Sequence, residues 1–214
     1  MSDGYQILSL DEVEPTPHLG SNLLPLRYTL GYRAAGINAW RADAGGQLIP
    51  PHEEDSGSEE LYVVVRGSAT FSVGEERSPA PAGTLVFVPA EVRRTAVAEE
   101  DGTVVVAVGA TVGEPYRGGA WDTFAVANAL REAGRMDDCR AVMRNAMAEW
   151  PDRWALPYNA ACLEALSGNA DEAIGYLARA REMAPAEELA PYLREDSDLD
   201  NIRDDPRFHE LLGR

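Results

Sequence analysis

The period of the apolar residues changes once along the chain, and this change limits the folds that the sequence can adopt. Short runs rich in β-branched and aromatic residues recur between positions 26 and 118, separated by Gly, Pro or Asp clusters. From Trp121 onward apolar residues recur at helical spacing, and alanine becomes abundant. Regular short strands with turn signals predict a sandwich or barrel, whereas the second pattern predicts helices. We therefore expect a multidomain chain with β structure first and α structure second.

The apolar runs also predict where the elements lie. The predicted strands are Leu26–Tyr32, Ile37–Ala42, Leu61–Arg66, Ala69–Val73, Thr84–Val88, Arg94–Ala98 and Val104–Val108. A further short strand is predicted at Tyr5–Leu10, before a segment rich in proline. We interpret residues 1–25 as an N-terminal lead-in, 26–110 as the β domain and 111–120 as a linker.

Two glycine-bounded segments carry the polar residues of the predicted site. The first cupin motif, G-x5-H-x-H-x(3–4)-E-x6-G, resembles the segment Gly46-x5-His52-x-Glu54-x5-Glu60-x6-Gly67. The second cupin motif, G-x5-P-x-G-x2-H-x3-N, resembles the segment Gly83-x5-Pro89-x-Glu91-x2-Arg94-x3-Ala98. The resemblance implies a cupin (RmlC-like jelly-roll) β-barrel. Many cupins hold a metal on three His and one Glu from these two motifs.

Two of those four metal ligands are replaced in this chain. Glu54 stands at the position of the second His and Arg94 at that of the third, whereas His52 and Glu60 match. If a metal binds, His52, Glu54 and Glu60 would be its ligands, a set that suits divalent Fe, Mn, Zn or Ni. A guanidinium stays protonated, cannot ligate and repels a dication. We therefore favour no metal and no other cofactor.

A metal-free pocket is the favoured interpretation of these residues. The predicted ligand-binding residues are His52, Glu54, Glu60, Arg94, Tyr62 and Trp40. Arg94 could clamp a small anionic ligand, because a guanidinium binds carboxylate or phosphate with two parallel hydrogen bonds. Two alternatives stay open: Arg94 and Glu60 form a buried ion pair without a ligand, and Trp40 and Tyr62 are plain core aromatics. Glu59 competes with Glu60 for the inward position.

The second half of the chain contains a 34-residue repeat. Six positions have an identical or similar residue 34 positions later. The pairs are Ala127 and Ala161, Gly134 and Gly168, Cys139 and Ala173, Met143 and Leu177, Ala146 and Ala180, and Pro151 and Pro185. This period with small residues at these offsets resembles the tetratricopeptide repeat (TPR). The resemblance implies two TPR-like helical repeats over residues 121–185, with residues 186–214 as C-terminal capping helices. Ser197 and Asp205-Pro206 are the predicted starts of two capping helices.

Composition restricts the partners and the setting. The net charge of −17 and the pI of about 4.5 argue against nucleic acid and membrane as partners. All 19 basic residues are Arg, which suits a GC-rich bacterial genome. The chain lacks a signal-peptide pattern and an apolar stretch of roughly 20 residues. Cys139 and Cys162, both in predicted helices, fit a reduced cytoplasmic setting.

We expect a small-molecule-binding or sensing cupin barrel coupled to a TPR-like protein-interaction module, without catalysis. The alternative is a cupin enzyme, an isomerase, lyase or oxygenase, that uses His52 and Glu60 with or without a divalent metal. A third interpretation is a structural scaffold, because cupins often dimerise through strands. A homodimer is expected in each case.

Overall fold

The chain has a first unit built mainly of strands and a second unit built of helices. The computed structural model describes residues 6–18, 21–54, 57–116 and 119–212. The two units are Met1–Gly118 and Gly119–Arg214. Within the described residues, strands lie in the first unit and the second is helical.

Ten strands make up the first unit over its described residues. They are β1 (Thr16–His18), β2 (Ser21–Leu24), β3 (Gly36–Ala42), β4 (Gln47–His52), β5 (Ser58–Arg66), β6 (Ser68–Val73), β7 (Glu76–Pro81), β8 (Leu85–Val88), β9 (Arg94–Ala98) and β10 (Thr103–Thr111). One sheet has the order β1-β2-β3-β10-β5-β8, and the other has the order β4-β9-β6-β7. The sequence predicts a barrel, and the structure has two antiparallel sheets of six and four strands that face each other.

Alternation along the strands divides the six-stranded sheet into two faces. On β5, the buried residues Tyr62 and Val64 point toward the four-stranded sheet, where the Tyr62 ring lies 5.5 Å from that of Phe71. On the outer face, Ala39 of β3 and Val104 of β10 pack against Val13, Leu24 and Leu26, with Leu10 nearby. The N-terminal lead-in therefore covers part of the outer face and contributes β1 and β2 to the sheet.

The predicted strand at Leu26–Tyr32 is wrong, because this segment contains a short helix, α1 (Leu26–Leu30). Pro25 precedes the helix, and Gly31 ends it in the left-handed conformation at φ 62°. Such a glycine lets backbone N–H groups bond back to the last turn. Leu26 and Leu30 also have the i, i+4 spacing of one helix face. The predicted strand at Tyr5–Leu10 is likewise absent from its described part, which ends in a 3-10 turn at Leu10–Glu12.

Four of the described strands were not predicted from the sequence: β1, β2, β4 and β7. The last two, β4 and β7, form the edges of the four-stranded sheet. Both contain proline, in L-I-P-P-H and S-P-A-P. Proline has no backbone N–H to donate to a neighbouring strand, so its presence argues against a strand in the middle of a sheet. At a sheet edge proline is tolerated, because the missing N–H can face solvent. The edge position thus explains why these strands were missed.

Seven helices lie in the described residues, six of them in the second unit. The six are α2 (Ala120–Glu132), α3 (Met136–Glu149), α4 (Ala155–Leu166), α5 (Ala170–Met183), α6 (Ala186–Glu195) and α7 (Pro206–Leu212). A 3-10 helix, Ser197–Ile202, joins the last two, and its N-cap is Asp196 rather than Ser197. The predicted start at Asp205-Pro206 agrees with α7. None of the helices described is long and apolar enough to cross a membrane.

The second unit repeats its helix boundaries. Helix α5 begins and ends 34 residues after α3, and the turns before them contain Gly134 and Gly168, at φ 73° and 78°. Ala127 and Ala161, the first pair of the sequence repeat, are both fully buried. The sequence repeat is therefore also a repeat of structure over α2–α3 and α4–α5.

Candidate functional site

Pairing between strands of different parts of the chain assembles the predicted site residues. In the four-stranded sheet, His52 at the end of β4 lies opposite Arg94 at the start of β9. Glu60 lies on β5 of the other sheet, and its carboxylate reaches both of these side chains. Glu60, rather than Glu59, is the glutamate that joins the two sheets at this point. The site therefore lies between the two sheets, at the end where β4 finishes and β9 begins.

One carboxylate oxygen, Oε2 of Glu60, is the centre of the cluster. His52 Nε2 and Arg94 Nε each lie 3.3 Å from this oxygen. The Tyr62 hydroxyl donates a hydrogen bond to the same atom. Burial alone would raise the pKa of Glu60, but the hydrogen bonds from His52 and Tyr62 outweigh it and lower the pKa. Glu60 is thus a carboxylate at neutral pH.

Arg94 is fully buried, with 0% of its surface exposed. Its Nη2 donates to the carbonyl oxygen of Pro89 at 3.2 Å, which fixes the guanidinium. Although Nε is within ion-pair distance of Glu60, Nε and Nη1 have no hydrogen-bond partner among the residues described. A guanidinium has five N–H donors and no acceptor. The site therefore holds a buried cation with N–H donors left over.

His52 faces acceptors on both ring nitrogens. Nδ1 lies 2.7 Å from the carbonyl oxygen of Pro50, and Nε2 faces Glu60. The hydrogen bond to Glu60 is the largest cause that raises the pKa of His52, while burial opposes it. Protonation on both nitrogens satisfies both contacts, so the geometry favours the charged imidazole.

Tyr62 keeps its proton. Burial raises the pKa of Tyr62 far above its ordinary value, and the charge of Glu60 adds to the effect. The hydroxyl is therefore a permanent donor to Glu60. Trp40 lies on the same inner face as Tyr62. It is paired with Val105, which in turn is paired with Val64, the residue two positions beyond Tyr62 on β5. Trp40 is thus one step farther from Glu60 than Tyr62 is.

A strained turn connects the two halves of the site at its rim. Glu54 Oε1 lies 3.9 Å from His52 Nε2, and the backbone carbonyl of Glu54 accepts a hydrogen bond from the N–H of Glu91 at 3.0 Å. Glu91 has φ 64°, in the left-handed region that favours glycine. This residue occupies the second glycine position of the second cupin motif.

Three residues beside the cluster were missed by the sequence reasoning. Gly109 is paired with Glu60 and Gly36 with Gly109, which places both glycines level with the carboxylate. A Cβ on Gly109 would lie 3.3 Å from Cγ of Glu60, and one on Gly36 would lie 3.6 Å from the hydroxyl of Tyr116. The only sequence signal was the glycine in the V-V-V-A-V-G-A run, which a strand tolerates poorly unless another group approaches closely.

The cluster contains a candidate ligand set for a divalent metal, and a buried cation beside that set opposes its binding. One donor atom each from His52, Glu54 and Glu60 lies within 4.8 Å of the others, which is a ligand-like grouping. Arg94 Nε, however, lies 3.3 Å from Oε2 of Glu60, which is one of these three candidate ligands. A guanidinium within about 5 Å of a dication costs several kcal/mol at an effective dielectric constant of about 20. Cupins often bind a metal, and here the buried guanidinium of Arg94 lies beside one of the three candidate ligands.

The comparisons with known proteins concern the first unit, which contains the strands. Residues 40–110 match the family model of the cupin domain. This match lies within the first unit and supports a cupin domain with a jelly-roll arrangement of strands there. Among curated proteins, no match to the sequence is found.

Solved structures of several cupins are similar to the chain. A cupin protein from Bacteroides fragilis is 19% identical, with a TM-score of 0.42, over 54% of this chain and 92% of that one. A predicted oxalate decarboxylase from Thermotoga maritima is 14% identical, with a TM-score of 0.44, over 50% of this chain and 100% of that one. A sugar phosphate isomerase of the cupin superfamily from Silicibacter pomeroyi is 20% identical, with a TM-score of 0.42, over 50% and 76%.

Proposed function

We propose that the cupin domain binds a small carboxylate-bearing molecule without a metal and without catalysis. The observation that carries this proposal is Arg94, which is fully buried and retains N–H groups without a partner. An unsatisfied buried donor on a charged group costs more than the about 1–3 kcal/mol of a neutral one. A ligand oxygen at Nη1 would remove that cost and form a charge-assisted hydrogen bond.

The local charge balance leaves Arg94 available for such a ligand. With His52 protonated, two cations (His52 and Arg94) face two carboxylates (Glu54 and Glu60). Glu60 is then neutralised by His52 and held by Tyr62. Arg94 is therefore not required as the only counter-charge of Glu60.

The proposal is tested by titrating the full chain with acetate, butyrate, succinate and inorganic phosphate while ligand-observed NMR or heat release is followed. We expect a carboxylate to bind the wild type, and Arg94→Met to lose at least about tenfold in affinity. Arg93→Met is the matched control, since Arg93 is the exposed residue directly before the first residue of β9. Equal affinities of wild type and Arg94→Met would overturn the proposal.

An enzyme remains the second candidate, favoured by the half-buried pair of His52 and Glu60. The raised pKa of His52 increases the share of charged imidazolium, a general acid, at neutral pH, which suits metal-independent isomerisation or elimination. A ligand that is recovered chemically unchanged after long incubation with the protein supports binding alone, whereas its conversion in wild type but not in His52→Gln supports the enzyme.

We also propose that the second unit is TPR-like and binds a protein partner. The support is the 34-residue offset between α3 and α5 and the matched turns at Gly134 and Gly168. Stacked helical hairpins of this kind provide extended surfaces for partners. Capture of the same protein by the full chain and by Arg94→Met, with loss on deletion of residues 121–214, would support a role that does not depend on the cupin site.

A homodimer is proposed from the outer face of the six-stranded sheet. Leu85 and Phe87 on the edge strand β8 are 65% and 57% exposed, and Val65 on the neighbouring strand is 43% exposed. Contiguous exposed apolar residues on a sheet edge commonly mark an association surface. Light scattering should show a dimer that Phe87→Glu dissociates and Ile7→Glu, at an exposed apolar residue elsewhere, does not.

A further inference from the structure

A second polar atom without a partner lies on the inner face of the six-stranded sheet. Oδ1 of Asn38 on β3 is buried and has no hydrogen-bond partner in the described part of the chain. Asn38 is paired with Ala107, and Ala107 with Tyr62, so the side chains of Asn38 and Tyr62 lie on one face of the sheet. The two residues are two strands apart, or about 10 Å. An acceptor and the Arg94–Glu60–Tyr62 cluster therefore face the same space.

The residues between Asn38 and this cluster are small. Ala107 separates Asn38 from Tyr62, and at the next level Gly109 and Gly36 lie beside Glu60. A stripe of small residues alone does not define a site. Here, however, the fully buried Arg94 also offers Nη1 without a partner at the Glu60 end of the same space. Donor and acceptor are thus available at opposite ends of this inner face. The strands place only Ala107, Gly109 and Gly36 between them, and the side chain of Tyr116 lies over Gly36.

We propose that Asn38 determines specificity and that the ligand is a small hydroxycarboxylic acid. The ligand carboxylate accepts hydrogen bonds from Arg94, and a hydroxyl farther along the molecule donates to Oδ1 of Asn38. This inference rests on the proposed binding of a carboxylate at Arg94. It adds the second contact, which selects among carboxylates.

Nη1 of Arg94 and Oδ1 of Asn38 require opposite groups on the ligand, an acceptor for the first and a donor for the second. Arginine only donates hydrogen bonds, and an amide oxygen only accepts them, so a plain fatty acid satisfies the first and leaves the second unpaired. A hydroxyl satisfies Asn38 without bringing charge. An ammonium group would also donate, but Asn38 is neutral, and a buried cation away from a counter-charge is strongly disfavoured.

The test compares acids that differ only by a hydroxyl. The full chain is titrated calorimetrically with butyrate and 3-hydroxybutyrate, and with propionate and lactate. We expect one hydroxy acid to bind at least about tenfold more tightly than its deoxy partner, because a site that hydrogen-bonds a hydroxyl discriminates against its absence. Asn38→Leu, of similar volume, should abolish this preference and leave the deoxy acid within about threefold of wild type.

The controls separate this inference from the proposed function. Asn22→Leu changes an asparagine paired with Arg41 on the neighbouring strand and should keep the preference. Equal binding of both members of every pair by the wild type, or an undiminished preference in Asn38→Leu, would overturn the role of Asn38 and leave carboxylate binding at Arg94 standing. Tighter binding of alanine than of lactate would overturn the hydroxyl assignment. Failure of every acid to bind would overturn both proposals, and the comparisons on wild type need no variant to fold.

Discussion

Arg94 Nε lies 3.3 Å from Oε2 of Glu60, and the arginine is fully buried while the glutamate keeps contact with solvent. The contact crosses from one sheet to the other, because Arg94 lies on β9 and Glu60 on β5. Removing one partner of a buried pair leaves the other charge uncompensated, at a cost of about 3–5 kcal/mol. His52 and Tyr62 also hold Glu60, which places the expected cost at the lower end.

We therefore expect Arg94→Met to lower the free energy of unfolding by about 3 kcal/mol. Chemical denaturation measures this value, and Arg93→Met at the exposed neighbour should change it by less than about 0.5 kcal/mol. The double variant Arg94→Met with Glu60→Gln should be more stable than the sum of the single changes predicts. Strict additivity would show that the pair contributes no coupling across the sheets.

Replacement of the arginine by histidine should create a metal site. Arg94→His removes the buried cation and places an imidazole opposite His52, beside Glu54 and Glu60. Elemental analysis of untagged protein prepared without chelator should find about one equivalent of Zn, Mn, Fe or Ni in this variant and none in the wild type. Arg93→His, one residue away on the exposed side, should stay without metal. One equivalent of metal in the wild type would contradict the metal-free site.

The ion pair of His52 and Glu60 should make stability depend on pH in a defined direction. The pKa of His52 is raised in the folded state, so its contribution is fully present below the unfolded value of about 6.5 and is lost as pH rises through the folded pKa. Because the imidazole is a third exposed to solvent, we expect only about 0.5–1 kcal/mol.

Urea denaturation at several pH values checks this expectation. His52→Gln should be less stable than the wild type at pH 6, and the difference should shrink toward pH 9. The lowered pKa of Glu60 keeps its carboxylate charged down to acidic pH, so the difference should persist at pH 5. His209→Gln, on the exposed side of α7, controls for loss of an imidazole. A difference that grows with pH would contradict the assignment.

Glu91 should be replaceable by glycine with a gain in stability. Its φ of 64° costs a residue with a Cβ about 1–2 kcal/mol, and glycine avoids this cost. The greater freedom of glycine in the unfolded chain offsets part of the gain. We expect Glu91→Gly to raise the free energy of unfolding by about 0.5–1 kcal/mol in thermal or urea denaturation. Glu53→Gly, at an exposed residue of the facing loop outside the left-handed region, should lower it. A loss in Glu91→Gly would indicate that the Glu91 side chain itself stabilises the rim.

The motif spacing predicted which residues meet, but it could not predict their depth. His52, Glu60 and Arg94 were placed together by the resemblance of their two segments to the two cupin motifs. Side-chain packing between the two sheets brings His52, Tyr62 and Arg94 to Oε2 of Glu60. The same packing removes all solvent contact from Arg94. Asn38 and Gly36 lie on β3, outside both motifs, and strand pairing brings them to the site. Tyr116 follows β10 and reaches the site through its contact with Gly36.

The helical half was easier to predict, because its contacts are local and its period is regular. The 34-residue offset gave α3 and α5, and it also assigned Gly134 and Gly168 to equivalent turns. The sequence did not predict the burial of Glu164, which is only 3% exposed. Its carboxylate pairs with both Nε and Nη2 of Arg140 and accepts from Asn169, and these partners let a charged group remain inside.

The two turn glycines give the sharpest test that the repeats are structurally equivalent. Gly134 and Gly168 have φ of 73° and 78°, and a Cβ at either would meet no atom within 4 Å. Alanine therefore costs only the backbone strain of the left-handed region, about 1–2 kcal/mol, and the cost should be the same at both positions. Gly175→Ala is the matched control, since Gly175 lies within α5 without positive φ and also has open space, so alanine should stabilise by about 0.5–1 kcal/mol. Urea denaturation of the three variants measures these differences, and a cost at Gly168 that is absent at Gly134 would mean that the two hairpins do not share one turn geometry.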